Sequence, residues 1–271
     1  PIVNGDLLIA IVGGEPDALV VAFDKRTGDE VWRALEASSE PGYAQPTIVE
    51  AAGRRQLLIW HPLAISSLDP DSGEVLWNFP YEARDTLSVA TPIVENDRLF
   101  LTQFYGGAIM LELDDSPGAT ELWRFKGRTE MPKDTEALHS LITTPIFEGE
   151  TVYGIDSYGE LRALDALTGE RLWTDLTMAR QGRWGSAFAV EHGDRWIVFN
   201  DVGELIFCRF ERDGYYEIDR TLLIEPTTSA GYGPRKAFDT KVNWGHPAFA
   251  DRHIFIRNDK EVLSASLASA K

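Results

Sequence analysis

The side chains best suited to catalysis or metal binding are few in this sequence and far apart. The chain has 5 histidines and 1 cysteine in 271 residues. No two histidines have the spacing of a His-Glu-x-x-His zinc site, and neither a Gly-x-Ser-x-Gly elbow nor a phosphate-binding glycine-rich loop occurs. These absences argue against metal-dependent and serine hydrolysis. Cys208 has no second cysteine to pair with, and its apolar surroundings in the sequence favour a small buried hydrophobe.

Four aspartates recur within one phrase, and we assign them to turns rather than to catalysis or calcium binding. In each copy glycine follows aspartate after four residues, and tryptophan follows after eight, or nine in the third copy. The aspartate can accept N–H groups of the turn, the glycine supplies a positive φ, and the tryptophan can fill the space between neighbouring repeats. The members are Asp24, Gly28 and Trp32; Asp69, Gly73 and Trp77; Asp114, Gly118 and Trp123; and Asp165, Gly169 and Trp173.

The spacing of the phrase predicts the elements that carry it. The tryptophans are separated by about 45 to 50 residues, the period of a propeller blade. Two short strands precede each phrase, and no helical periodicity is sustained. We therefore expect an all-β fold, a single β-propeller domain over residues 1–271 built of four-stranded blades. Six repeats are visible, beginning near Pro1, Gln45, Ala90, Thr143, Ser186 and His246.

The last two repeats depart from the pattern. In the fifth, residues 210–214 replace the Asp-Gly turn, and Tyr216 stands near the place of the tryptophan. The sixth stops after its third strand, residues 262–267. A closed propeller completes its last blade with a strand from the other end of the chain, and we expect the closing strand to be missing from residues 1–271.

The residues just before each inner strand form the first candidate binding site. In a propeller these positions lie near one mouth of the central channel, where an aromatic and imidazole collar could hold a planar or polar ligand. Packing of the tryptophans against neighbouring loops is the alternative. The collar candidates are Tyr43, Gln45, Ser88, His139, Trp184, Ser186, Trp244 and His246.

Two long connections are the second candidate. One runs from Gly127 to Ile142 and the other from Glu225 to Val242, where Lys236 and Lys241 add positive charge near the collar. Long loops on compact β scaffolds often carry function.

The charge of the chain excludes some partners. With 26 basic and 43 acidic residues, the net charge is −17. Nucleic-acid binding needs clustered lysine and arginine, and anionic membranes attract basic rather than acidic surfaces. No apolar stretch reaches the roughly 18 residues of a membrane span. We therefore expect neither a nucleic-acid groove nor a transmembrane segment.

The repeat phrase, at its best in residues 163–173, resembles the PQQ repeat (PQQ is pyrroloquinoline quinone). Bacterial quinoprotein alcohol dehydrogenases and the lipoprotein BamB share that repeat. Residues 183–188 and 244–250 resemble more closely the exported PQQ-binding-like propellers of planctomycetes and acidobacteria. The resemblance implies an eight-bladed ring, of which this chain would be a C-terminal portion lacking two N-terminal blades and the closing strand. It also implies a periplasmic or otherwise exported protein.

Fold resemblance alone does not assign activity, so several functions stay open. The quinoprotein dehydrogenases resembled here hold PQQ with an adjacent-cysteine disulfide, a calcium ion and a catalytic aspartate, and one cysteine cannot form that disulfide. We expect a non-enzymatic scaffold of the cell envelope, without a cofactor, that binds an unidentified protein or small ligand on one face of the ring. The alternatives are a quinoprotein-like redox enzyme or PQQ-binding protein with PQQ and calcium and, from its 8 tryptophans, a sugar- or polymer-binding module.

Overall fold

Short apolar-rich segments separated by turns fold this chain into antiparallel strands. The structure, a computed structural model, describes residues 1–37, 40–116, 118–230 and 240–268. The first sheet comprises β1 (Ile2–Asn4), β2 (Leu7–Gly14), β3 (Ala18–Asp24) and β4 (Glu30–Ala34). The second comprises β5 (Thr47–Ala51), β6 (Arg54–His61), β7 (Ala64–Leu68) and β8 (Val75–Pro80). The third comprises β9 (Ile93–Glu95), β10 (Arg98–Gln103), β11 (Gly107–Leu113) and β12 (Ala119–Phe125).

The remaining sheets continue in chain order. The fourth comprises β13 (Ile146–Glu148), β14 (Thr151–Ile155), β15 (Leu161–Asp165) and β16 (Arg171–Asp175). The fifth comprises β17 (Ala187–His192), β18 (Arg195–Asn200), β19 (Glu204–Glu211) and β20 (Gly214–Leu222). A two-stranded ribbon of β21 (Thr228–Ser229) and β22 (Lys241–Val242) precedes the three-stranded sixth sheet, β23 (Ala248–Ala250), β24 (His253–Arg257) and β25 (Val262–Ser266). Two 3-10 turns lie at Arg84–Thr86 and Pro132–Asp134.

The all-β class and the six repeated sheets predicted from the sequence are confirmed. Residue contacts divide the chain into two compact modules. The first module holds residues 1–152 and 164–171, and the second holds residues 153–163 and 172–271. The division passes through the fourth sheet. The prediction of a single domain over 1–271 stays a prediction.

Successive side chains of one strand pack on opposite neighbours. In β6, Leu57 and Ile59 belong to the apolar cluster shared with the first sheet, whereas Leu58 and Trp60 belong to the cluster shared with the third. All four side chains are completely buried. Because alternate residues point to opposite faces of a strand, a strand covered on both faces reads as a continuous apolar run. The second strand of this repeat therefore does not alternate apolar with polar residues.

A β-bulge precedes the tryptophan of the fourth strand. In the first three sheets the register between the third and fourth strands slips by one residue, so that Val31, Leu76 and Leu122 are skipped. The residue that resumes the ladder is the tryptophan. The fifth sheet has the same bulge, and there the resuming residue is Asp219. Tyr216, expected near the tryptophan position, is therefore not its equivalent: Tyr216 pairs with Arg209 before the bulge.

The repeated aspartates cap the turns that join the third and fourth strands. The Asp69 carboxylate accepts the N–H groups of Asp71 and Ser72 at 2.9 and 2.8 Å. Asp24 and Asp165 make the same pair of bonds to their own turns, and Asp114 accepts the N–H of Gly118. These backbone donors lower the pKa of Asp69, as expected for a carboxylate that accepts several N–H bonds.

The tryptophan of each of the first three repeats lies on the turn glycine of the next repeat. A Cβ atom at Gly73 would come within 2.5 Å of the Trp32 ring. Gly118 stands in the same relation to Trp77, and Gly169 to Trp123. These glycines have φ values of 77°, 103° and 75°. Each position therefore requires glycine for two reasons: the turn needs a positive φ, and the indole leaves no room for a Cβ atom.

We expect Gly73→Ala to destabilise the first module more than Gly28→Ala. Both positions have φ near 80°, so both variants incur the left-handed strain of roughly 1–2 kcal/mol. At Gly28 no atom lies within 4 Å of the added Cβ, whereas Gly73→Ala must also displace Trp32, at roughly 1–3 kcal/mol more. Urea unfolding of the two variants measures the difference, and equal losses would contradict the contact.

Candidate functional site

Three of the first module's collar candidates come from two neighbouring connections. The backbone N–H of Tyr43 donates to the carbonyl oxygen of Ser88 at 2.9 Å, which brings these two positions together. Tyr43 is 62% exposed, and Gln45 is also exposed. Ser88 is fully buried, and its hydroxyl makes no hydrogen bond within the described residues. Tyr43 and Gln45 are therefore open to a ligand, while Ser88 lies beneath them.

His139, the fourth candidate in this module, is buried and connects two loops. Its Nδ1 lies 2.8 Å from the carbonyl oxygen of Phe104, and its Nε2 accepts the N–H of Gly127 at 3.4 Å. A carbonyl can only accept, so Nδ1 carries the proton and the imidazole is neutral. The ring ties the turn between β10 and β11 to the connection that follows β12. These two hydrogen bonds hold the two loops in a fixed relation to each other.

The collar candidates of the second module form one group. The indole N–H of Trp244 donates to the carbonyl oxygen of Trp184 at 3.3 Å. The His246 ring lies 3.8 Å from the Phe188 ring, centroid to centroid, and burial lowers the pKa of His246. Ser186 is fully buried. The structure therefore brings both tryptophans together beside an aromatic–imidazole pair.

The backbone around Trp184 is held by a neighbouring turn. Trp184 has a φ of 70°, which a bulky residue rarely adopts, and its N–H donates to the carbonyl oxygen of Ser157 at 2.7 Å. That turn rests on a buried ion pair. The guanidinium of Arg162, completely buried, lies 3.0 Å from the Asp156 carboxylate and 2.6 Å from that of Glu160. Burial raises the pKa of Asp156, against the opposing charge of Arg162.

A second buried acidic residue, Asp201, bonds to the segments around Trp184 and Trp244. Asp201 is inaccessible to solvent, and its carboxylate accepts the backbone N–H and the Nε–H of Arg180 at 3.1 and 3.2 Å. Its own backbone N–H donates to Ser186, and its carbonyl oxygen accepts the N–H of Asn243. Burial raises the pKa of Asp201 to about 6, although Arg180 opposes the shift.

We expect Asp201 to make the chain less stable as the pH rises through 6. The ordinary pKa is 3.8, so the folded protein binds this proton more tightly than the unfolded chain. The contribution is therefore greatest below pH 4 and is lost, by roughly 3 kcal/mol, as the pH passes the folded value. Asp201→Asn does not titrate there. Urea unfolding between pH 4 and pH 7 should show the wild type losing stability relative to the variant; a constant difference would contradict this assignment.

The first module contains a cleft between the second and third sheets. Its volume is 640 Å³, and its lining comes from residues 81–84, 103–106 and 124–130. Tyr81 braces the floor, donating its hydroxyl to the carbonyl oxygen of Gly107 at 2.9 Å, and Gln103 donates to that of Glu82 at 2.9 Å. The cleft is thus built on contacts between two sheets, and His139 supports two of its three loops.

Cations and two tyrosine rings, Tyr81 and Tyr105, dominate the lining of this cleft. The lining includes four basic side chains, Arg84, Arg124, Lys126 and Arg128, against two carboxylates, Glu82 and Glu130. The Arg84 guanidinium lies 4.4 Å from the centre of the Tyr105 ring, a cation–π contact. Arg128 pairs with Asp134, and this pairing, together with the Thr129 hydroxyl, lowers the pKa of Asp134.

Only part of this cleft was predicted from the sequence. The connection from Gly127 to Ile142, whose first residues form one wall, was a candidate, but the cationic side chains were not. A local signal was present, because Arg124, Lys126 and Arg128 alternate in the sequence, and alternate residues of an extended chain share a side. The overall acidity obscured it. In the other long connection, Lys241 is exposed in β22, and residues 231–239, including Lys236, lie outside the described residues.

Within residues 1–37, 40–116, 118–230 and 240–268, no group of three or more histidine, cysteine, aspartate or glutamate side chains is arranged to hold a metal ion. No helix there is both long enough and apolar enough to cross a membrane.

Comparison with known proteins identifies the family. The family model described as outer membrane protein assembly factor BamB matches residues 16–198, which is more than half of the chain. The chain therefore belongs to this family of PQQ-type repeat proteins. A search of curated proteins found no match.

Solved structures confirm the propeller fold. BamB from Moraxella catarrhalis superposes with a TM-score of 0.61 at 18% identity, covering 97% of this chain and 70% of that one. The quinohemoprotein alcohol dehydrogenase from Comamonas testosteroni gives 0.54 at 12% identity, covering 88% of this chain and 48% of that one. The β-propeller domain of Cps50 (Swd1) from Myceliophteria thermophila gives 0.57 at 14% identity, covering 96% and 78%.

Proposed function

We propose that this chain is a non-enzymatic scaffold that binds a protein segment in the cleft between its second and third sheets. One observation carries the proposal: a 640 Å³ recess lined by four cations and two tyrosines, on loops that buried hydrogen bonds hold in place. A preformed concave recess is the usual form of a binding site.

Family membership supports a place in the cell envelope. The family is described as an outer membrane protein assembly factor, and BamB from Moraxella catarrhalis shares the fold over nearly all of this chain. We infer an exported protein that takes part in assembling outer-membrane proteins. Its partner would then be another protein of the envelope.

The residues present do not fit the cofactor of the quinoprotein dehydrogenases. The adjacent-cysteine disulfide of those enzymes cannot form from the one cysteine of this sequence. Cys208 is itself buried on β19, and burial raises its pKa to about 12, so it is neither accessible nor ionised. The described residues also lack a three-ligand cluster for calcium. We therefore assign no redox step to this chain.

Titration with PQQ separates the two classes of function. We expect no heat of binding when the protein is titrated calorimetrically with PQQ, with or without calcium, because the donor set described above is absent. Binding with a Kd of 1 μM or tighter, about −8 kcal/mol, would overturn the scaffold proposal in favour of a PQQ-binding protein.

Photo-crosslinking tests the scaffold directly. A photo-reactive amino acid in place of Tyr105, in the cleft, should form a protein adduct when the full-length protein is irradiated in its own cells. The same residue in place of Val75, which is 45% exposed on β8 and outside the cleft lining, serves as the matched control and should not form that adduct. Equal adducts from both positions, or recovery of the protein from the cytosol rather than the envelope, would contradict the proposal.

A further inference from the structure

We propose that the cleft binds an acidic peptide segment, one that presents aspartate or glutamate side chains at alternate positions. This inference rests on the proposed function and names the chemistry of the partner. Its first support is a charge contrast. The whole chain carries 43 acidic and 26 basic residues, whereas the cleft lining holds twice as many cations as carboxylates. Three of the four cations pair with carboxylates outside the lining, so a negatively charged partner would meet Lys126 and the exposed guanidinium donors of the arginines.

The spacing of the cations indicates an extended ligand. Arg124 lies near the end of β12, and Lys126 and Arg128 follow at every second position of the sequence; all three line the cleft. An extended peptide with carboxylates on every second residue, roughly 7 Å apart, can present successive carboxylates to these cations. Arg84 supplies a fourth cation from a different connection, with Tyr105 beside it as a flat apolar surface.

The arginines are oriented by carboxylates of their own and still have free donors. Arg84 lies 3.5 Å from Asp85, and Arg124 lies 2.8 Å from Glu121. The side chain of Arg84 remains 70% exposed and that of Arg128 81% exposed. A guanidinium has five N–H donors in a planar fork, so each can bind a second carboxylate. Lys126 is exposed and makes no ion pair within the described part of the chain.

The same geometry disfavours a compact phosphate or a nucleic acid. A phosphate is bound best where several donors converge on one point, and here the cations are distributed over two connections. Glu82 and Glu130 also line the cleft, and they would repel the continuous negative charge of a nucleic-acid backbone. A peptide that alternates acidic with neutral residues can avoid both carboxylates.

A synthetic peptide tests the proposal on the intact protein. The probe is a fluorescein-labelled decapeptide of alternating glutamate and threonine, and its control has glutamine in place of glutamate. Fluorescence anisotropy should show the glutamate peptide binding at least tenfold more tightly at 50 mM salt, with a Kd that weakens at 200 mM salt because the contacts are ionic.

Charge variants locate the binding. The double variant Arg84→Glu and Lys126→Glu should weaken binding of the glutamate peptide at least tenfold. The matched control, Arg195→Glu and Arg209→Glu, makes the same change of net charge at exposed arginines of the fifth sheet and should change the Kd less than twofold. The milder pair Arg84→Gln and Lys126→Gln gives the same ranking if the reversed charges impair folding.

Several results would overturn the inference. Equal weakening by both double variants would show general attraction to charge rather than a site. Tighter binding of a ten-nucleotide oligothymidine than of the peptide would assign the cleft to nucleic acid. If the glutamine peptide binds as tightly as the glutamate peptide, and Tyr105→Ala abolishes both, the acidic character is wrong while the scaffold stands. If the photo-reactive residue at position 105 forms no protein adduct, the proposed scaffold function itself is wrong.

Discussion

The contact between an indole and a glycine of the next repeat is the constraint on which the sheets of the first module depend. Trp32 covers Gly73, and Trp77 covers Gly118. The contact requires a β-bulge to place the ring, a turn that keeps the glycine at positive φ, and an aspartate that satisfies the N–H groups of that turn. Three features of one sequence phrase thus serve a single packing contact, and none of them is free for chemistry.

Function is consequently confined to the connections. The charged walls of the cleft come from the connection after β8, from the end of β12 and from the connection that follows β12, and the turn between β10 and β11 adds Tyr105. Buried side chains hold these segments through hydrogen bonds to the backbone. His139 does so for the cleft, and Asp201 does so for the loop that carries Trp184. A rigid repeated core with specific loops at its edge is the general arrangement by which β scaffolds acquire binding sites.

The repeat could be predicted from the sequence because its signals are local. Aspartate, glycine and tryptophan at fixed offsets define a turn and a strand regardless of distant contacts, which is why the first four sheets could be predicted from the phrase. The cleft could not be predicted in the same way. Arg84 and Lys126 lie 42 residues apart, and only the packing of two sheets brings their loops to one recess. His139 was selected as a ligand candidate from its position, yet burial and two backbone partners make it a structural group.

The fourth tryptophan shows how this architecture can drift in evolution. Trp173 has no glycine of an Asp-Gly turn to cover; instead its indole N–H donates to the carbonyl oxygens of Glu211 and Arg212 at 3.2 Å. Main-chain carbonyls are present whatever the side chains are, so a repeat docked in this way is released from selection on its turn residues. The family match covers residues 16–198 and so does not include that turn.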